Sequence, residues 1–120
     1  MDLSKQDIGK IGEAVSEEYL IKSGYIILDK NYRCKIGEID IIAKNMNHIC
    51  FIEVKTRKNK IYGRPCEAVN YIKQKKILKS AQMYILKNKL FECSFRFDVI
   101  EVLIFDNKYS INHIENAFQK

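Results

Sequence analysis

The chain has 120 residues, enough for one domain of ordinary size and too few for two. Apolar residues make up 47% and charged residues 30%, with one proline and five glycines, which excludes disordered, collagen-like and low-complexity chains. Net charge is +6, and Lys, Asp or Glu breaks every apolar run short of the ~20 residues a membrane helix needs. Met1 to Asp7 has no apolar signal core, so a soluble cytoplasmic protein with no membrane partner is expected.

Ser4-Lys5-Gln6-Asp7 reads as a capping box that opens a helix, and Ile8, Ile11, Val15 and Tyr19 recur at helical spacing as its apolar stripe. Gly24 is placed to cap its C-terminus. Glu13 lies away from the centre of that stripe, near its border, where it can face a neighbouring sheet edge. Three strand-like runs follow, Tyr25 to Cys34, Glu38 to Lys44 and His48 to Thr56. The short turns Lys35-Ile36-Gly37 and Asn45-Met46-Asn47 between them favour an antiparallel meander. Asn59 to Pro65 reads as a loop.

A second helix is expected to start near Cys66, with its main body from Lys73 to Lys87. Ile77, Leu78, Ala81, Tyr84 and Ile85 share one face, and Lys75, Lys76, Lys79 and Lys87 the opposite one. Gln74 falls on the apolar side, where a polar group either meets solvent at the helix start or reaches a polar site under the sheet. Phe95 to Phe105 is the most strongly strand-like run, and Asp106-Asn107-Lys108 turns it back into Tyr109 to Ile114. The order α-β-β-β-α-β-β predicts one α/β domain over residues 1–120.

Cys34, Cys50, Cys66 and Cys93 form no C-x-x-C pair and sit in or beside apolar stretches, so they read as reduced, small hydrophobes and not as zinc ligands. His48 and His113 have no Cys or carboxylate at ligand spacing and are expected at the surface. Asp98 is expected to be a structural acid paired with a basic neighbour such as Arg96. Tyr25, Tyr32, Tyr62 and Tyr71 are candidates for stacking on bases, whereas Tyr84 and Tyr109 look like packing residues.

Charge is distributed unevenly. Eleven basic residues lie between Lys55 and Leu90 against the single acid Glu67, a local +10, while the rest of the chain sums to −4. Such a segment attracts a polyanion, most commonly nucleic acid. A solvated helix face reads equally well on charge alone. Lys58, Lys73, Lys75 and Lys76 are the candidate contacts, with Arg33 and Arg57 flanking in sequence and each equally readable as half of a surface pair.

Glu53 and Lys55 project from one face of their strand, and Asp40 interrupts a run of isoleucines on the strand before it. If those strands pair, the two carboxylates come close beside an apolar layer. One must then hold a proton, or both must share a cation. Mg²⁺ suits two carboxylates with waters and a phosphate, and it acidifies a bound water enough for attack on phosphorus. Lys55 is placed to neutralise charge on the transition state or to orient that water.

Asp40, Glu53 and Lys55 on neighbouring strands within α-β-β-β-α-β resemble the restriction-endonuclease-like PD-(D/E)XK nuclease superfamily. More closely, the chain resembles the YraN family of bacterial proteins, predicted nucleases similar to archaeal Holliday junction resolvases. Gly12-Glu13-Ala14, Asn31-Tyr32-Arg33, Gly37-Glu38-Ile39-Asp40-Ile41-Ile42, Phe51-Ile52-Glu53-Val54-Lys55-Thr56-Arg57, Glu67-Ala68-Val69, Lys73-Gln74 and Arg96-Phe97-Asp98-Val99 carry that likeness over nearly the whole chain. Ile39 stands where the superfamily has its proline.

The resemblance implies a restriction-endonuclease-like fold with a mixed central sheet flanked by helices. It implies Asp40 and Glu53 as ligands of Mg²⁺ or Mn²⁺ and Lys55 as the catalytic lysine. Glu13 would be an acid from the first helix reaching a second metal or a water, and Gln74 would approach from the second helix. The expected function is therefore a Mg²⁺-dependent DNA endonuclease, with branched DNA as a candidate substrate and a homodimer as a candidate assembly. The rival readings are a nucleic-acid-binding module that keeps the fold without cutting, and a scaffold that binds protein through its sheet edge.

Overall fold

A computed structural model describes residues 4–58 and 70–118. The expected loop from Asn59 to Pro65, the expected helix start near Cys66, and Tyr62 lie outside the described residues. The elements are α1 (Lys5–Lys22), β1 (Ile26–Arg33), β2 (Glu38–Asn45), β3 (His48–Arg57), α2 (Tyr71–Asn88), β4 (Ser94–Phe105) and β5 (Lys108–Ile114). They form a single α/β domain whose five-stranded sheet runs β1-β2-β3-β4-β5. The first three strands are the expected antiparallel meander, β3 and β4 are parallel, and β5 returns antiparallel, so the sheet is mixed. A parallel pair needs a crossover, and α2 lies on that connection.

The capping box is present: Asp7 N–H donates to Ser4 Oγ at 3.1 Å, and Ser4 Oγ–H donates to Asp7 Oδ2 at 2.8 Å. At the other end of α1, Gly24 sits at φ +94°. Its N–H reaches Ile21 O and the Tyr25 N–H reaches Leu20 O, a paired closure that favours glycine at the left-handed position.

The sheet separates two apolar layers. On the α2 side, Ile42, Phe51, Phe97 and Val99 pack with Ile77, Ala81 and Tyr84. On the α1 side, Ile41, Ala43, Cys50, Ile52, Ile100 and Val102 pack with Leu20 and Tyr25. Because both faces are covered, the central strands read as nearly continuous apolar runs. No helix among the described residues is long and apolar enough to cross a membrane.

Four sequence expectations need correction. The buried centre of α1 is Gly12, Ser16 and Leu20, not the stripe through Ile8 and Ile11, and Ile11 is exposed. The helix lies so close to β3 that only small side chains fit. A Cβ on Gly12 would stand 1.7 Å from Thr56 Oγ1 and 2.8 Å from Thr56 Cβ. The His113 side chain is only 7% exposed, with Nε2 2.7 Å from Asp98 Oδ2 and Nδ1 2.9 Å from Tyr19 Oη. Tyr109 is exposed because β5 is an edge strand. Tyr25 is buried and accepts a bond from Arg96 Nη2 at 2.7 Å, which removes it as a stacking platform.

Gly12→Ala should destabilise the protein by roughly 1–3 kcal/mol, the usual cost of overpacking, despite alanine's better helix propensity. Ser16→Ala should act in the opposite direction. The Ser16 hydroxyl is buried and has no hydrogen-bond partner among the described residues, and its removal should stabilise by about 1 kcal/mol. Denaturant unfolding of both variants checks the pair, and equal stability of Gly12→Ala and wild type would mean that α1 stands off the sheet.

Candidate active site

β2 and β3 keep register from Asn45–His48 to Ile41–Ile52. One step beyond the last pair, the same register sets Asp40 opposite Glu53. There the Val54 N–H donates to Asp40 Oδ2 at 2.8 Å, so a side-chain carboxylate replaces a strand carbonyl as its acceptor. Alternation puts Glu53 and Lys55 on the face of Phe51, toward α2. Asp40 stands between Ile39, in the layer under α2, and Ile41, in the layer under α1, and it lines both the opening beside Glu53 and a neighbouring pocket with Lys10, Glu13 and Glu17 of α1.

These groups open into a cleft of about 450 Å³ between the starts of α1 and α2. Lys5, Gly9 and Glu13 line it from α1, and Asp40, Glu53, Lys55, Thr56 and Lys58 from the sheet and its end. Among the described residues, Lys73 is the α2 side chain that lines it. Glu53 is 6% exposed. Lys73 Nζ lies 2.6 Å from Glu53 Oε1, and Lys55 Nζ lies 3.9 Å from the same oxygen.

Burial pushes Asp40 up to about 7, helped by the charges of Glu53 and Glu13 and opposed by the Val54 hydrogen bond and Lys73. Burial and the adjoining Lys73 ammonium hold the Lys55 amine below its ordinary value, against the pull of Glu53 and Asp40. Burial also works against the charge on Lys73, but its bond to Glu53 wins and holds it above the ordinary range.

Of the remaining sequence candidates, Lys76 lines a neighbouring pocket that shares Lys73 and Glu38 with the cleft. Lys75 packs over the Tyr71 ring with Nζ 4.7 Å from its centroid. Arg33 is exposed and paired with Glu38 at 3.3 Å. Arg57 closes β3 next to Lys58, and half-buried Gln74 follows Lys73 on α2. Sequence reading missed Lys5, whose place in the first turn of α1 was the available signal, and it missed the ion pair between Lys73 and Glu53.

Among the described residues, no group of three or more His, Cys, Asp or Glu side chains is arranged to hold a metal ion. Two facing carboxylates, with Glu13 in the same cleft, instead offer oxygen ligands only. That donor set fits a hard divalent ion that keeps waters and takes phosphate oxygens, such as Mg²⁺ or Mn²⁺.

A family profile described as Uncharacterised protein family UPF0102 matches residues 12–102. The chain belongs to this family. The matched span includes Glu13, Asp40, Glu53, Lys55 and Lys73. A UPF0102 protein of Clostridium tetani is 54% identical over 121 residues, 99% of each chain. Another, from Clostridium kluyveri, is 53% identical over 116 residues, 95% of each. A UPF0102 protein of Clostridium botulinum strain 657 is 55% identical over 125 residues, again 99% of each.

The raised Asp40 pKa fixes a sign for the pH dependence of this UPF0102 protein. Between about pH 4 and pH 7 the folded state keeps a proton that the unfolded chain releases, so this group's contribution to stability falls as pH rises. Asp40→Asn retains an oxygen for the Val54 N–H and cannot ionise. In EDTA it should melt above wild type at pH 8, by an advantage on the order of 2–4 kcal/mol, and lose that advantage near pH 4. Parallel melting curves across this range would contradict the assignment.

Proposed function

We propose that this UPF0102 protein is a divalent-metal-dependent endonuclease of restriction-endonuclease-like fold that hydrolyses DNA phosphodiester bonds. The observation that carries this reading is the meeting of Asp40, Glu53 and Lys55 where β2 parts from β3, in a cleft rimmed by Lys5, Lys58 and Lys73. A five-stranded mixed sheet with α2 on its crossover supports the resemblance drawn from the motifs.

Asp40 and Glu53 would hold Mg²⁺ or Mn²⁺, which supplies Lewis acidity at a phosphate oxygen and lowers the pKa of water. Glu13 faces the same cleft and would hold an outer water. Lys55 would donate to the charge that develops on phosphorus-bound oxygen, and its lowered pKa eases the passing of a proton. Lys5 and Lys58 would bind flanking phosphates. The exposed lysines of α2, Lys75, Lys76, Lys79 and Lys87, extend the positive surface and give salt-dependent affinity. Branched DNA remains the candidate substrate and a homodimer the candidate assembly, since two strands must be cut.

One observation favours the non-cutting module as a second reading: that basic face stands on α2 independently of the carboxylates. Both readings are separated by incubating the full chain with labelled single-stranded, duplex and four-way DNA in Mg²⁺ or Mn²⁺. The nuclease reading expects cleavage that EDTA stops and that Asp40→Asn and Lys55→Ala each slow by about 100-fold or more. Cleavage unchanged in both variants would assign the activity elsewhere. Salt-sensitive retention of DNA without cleavage of any substrate selects the binding module.

A further inference from the structure

We propose that Lys73 is a built-in counter-ion, seated on Glu53 in the metal-free protein, that a divalent ion displaces and that then turns to the phosphate backbone. The inference rests on the nuclease reading above and adds a means of coupling metal binding to DNA binding.

The start of the Lys73 arm is fixed. Lys73 lies in the first turn of α2, and its backbone N–H donates to the Asn70 side chain at 2.9 Å. Its ammonium sits 2.6 Å from Glu53 Oε1, with Lys55 at 3.9 Å from the same atom. Glu53 therefore already serves two cations. A doubly charged ion on the same carboxylate, itself only 6% exposed, would meet both ammonium groups at close range, where the repulsion is screened less than between groups on an open surface.

One cation must leave, and Lys73 is the one able to go. Its side chain is 40% exposed against 22% for Lys55, which rises from an interior strand. It also has somewhere to go. Lys73 lines a second pocket of about 350 Å³ with Glu38, Asn70 and Lys76. An ammonium moved there approaches Lys76, a like charge, and a phosphate between the two relieves that repulsion. Metal and DNA would thus each favour the position of Lys73 that the other needs, and such coupling is reciprocal.

The test is calorimetric titration of Mn²⁺ alone into the full-length wild type, Lys73→Met and Lys73→Arg. A lysine that only stabilises the fold would leave Mn²⁺ affinity unchanged or lower on removal, and one that merely stands near the ion would raise it on removal without changing how far Ca²⁺ strengthens DNA binding. Displacement instead expects Lys73→Met to bind Mn²⁺ roughly five- to tenfold more tightly, with Lys73→Arg near wild type. It also expects Ca²⁺ to strengthen DNA binding more in wild type than in Lys73→Met. If Lys73→Met does not fold, Lys73→Gln takes its place. Mn²⁺ binding by wild type together with equal or weaker binding by the folded charge-removed variant overturns the inference and leaves the nuclease reading standing. No Mn²⁺ uptake by any of the proteins overturns both.

Discussion

The hydrogen bond from the Val54 N–H to Asp40 Oδ2 is the constraint on which the rest of the cleft depends. An antiparallel ladder that simply continued past Ile41 and Ile52 would leave no opening between β2 and β3. One that ended without replacement would strand a backbone donor away from water, at a cost of about 1–3 kcal/mol. The aspartyl side chain answers both demands, because it accepts the bond while letting the strands part. The same bond holds one oxygen of Asp40 in place opposite Glu53. A register shift of one residue between β2 and β3 would take Asp40 away from its place opposite Glu53.

Topology then supplies the surroundings. Because β3 and β4 are parallel, the chain must cross over between them, and the crossover carries α2 onto the face bearing Glu53 and Lys55. The start of that helix overlies the open end of the sheet, which is how Lys73 reaches Glu53. The other wall comes from α1, on the opposite layer. Its approach is set by Gly12 against Thr56, and Glu13 follows directly in sequence. A larger residue at position 12 would lift the helix and withdraw Glu13 from the cleft. Packing tolerance and site geometry are therefore linked through one missing side chain.

Much of this was legible in the chain itself. Ser4 and Asp7 announced the start of α1, the short turns announced the meander, and Glu-x-Lys after an acid in an isoleucine run located the cleft. What stayed hidden depended on distance between elements. Hydrophobic spacing favoured Ile8 and Ile11 as the inner face of α1, yet close packing selected Gly12 and Ser16, which carry no apolar signal. Helical angle drew attention to Gln74, whereas Lys73 makes the ion pair with Glu53, because a four-carbon arm reaches where its Cα direction does not point. His113 gave no sign of burial, since its partners Asp98 and Tyr19 lie far from it in sequence.

Asp98 and Asp40 show how the same side chain acquires opposite properties within one sheet. Asp98 is fully buried but saturated: Arg96 Nε and the Asn116 N–H donate to Oδ1 at 3.0 and 2.9 Å. Arg96 Nη2 and His113 Nε2 reach Oδ2 at 3.0 and 2.7 Å. Burial alone would raise its pKa, yet these contacts with His113, Arg96 and Asn116 outweigh it and hold the carboxyl below its ordinary value. With no lone pair left to offer, it ties β4, β5 and, through Tyr19, α1 together. Asp40 accepts one backbone bond, faces two other acids, and is pushed up to about 7. Burial acts in the same direction on both residues, so it is the neighbours that decide the difference. An aspartate whose charge is already balanced has a structural role, while Asp40, set beside Glu53 and Glu13 in a cleft, has the surroundings that the metal-dependent reading requires.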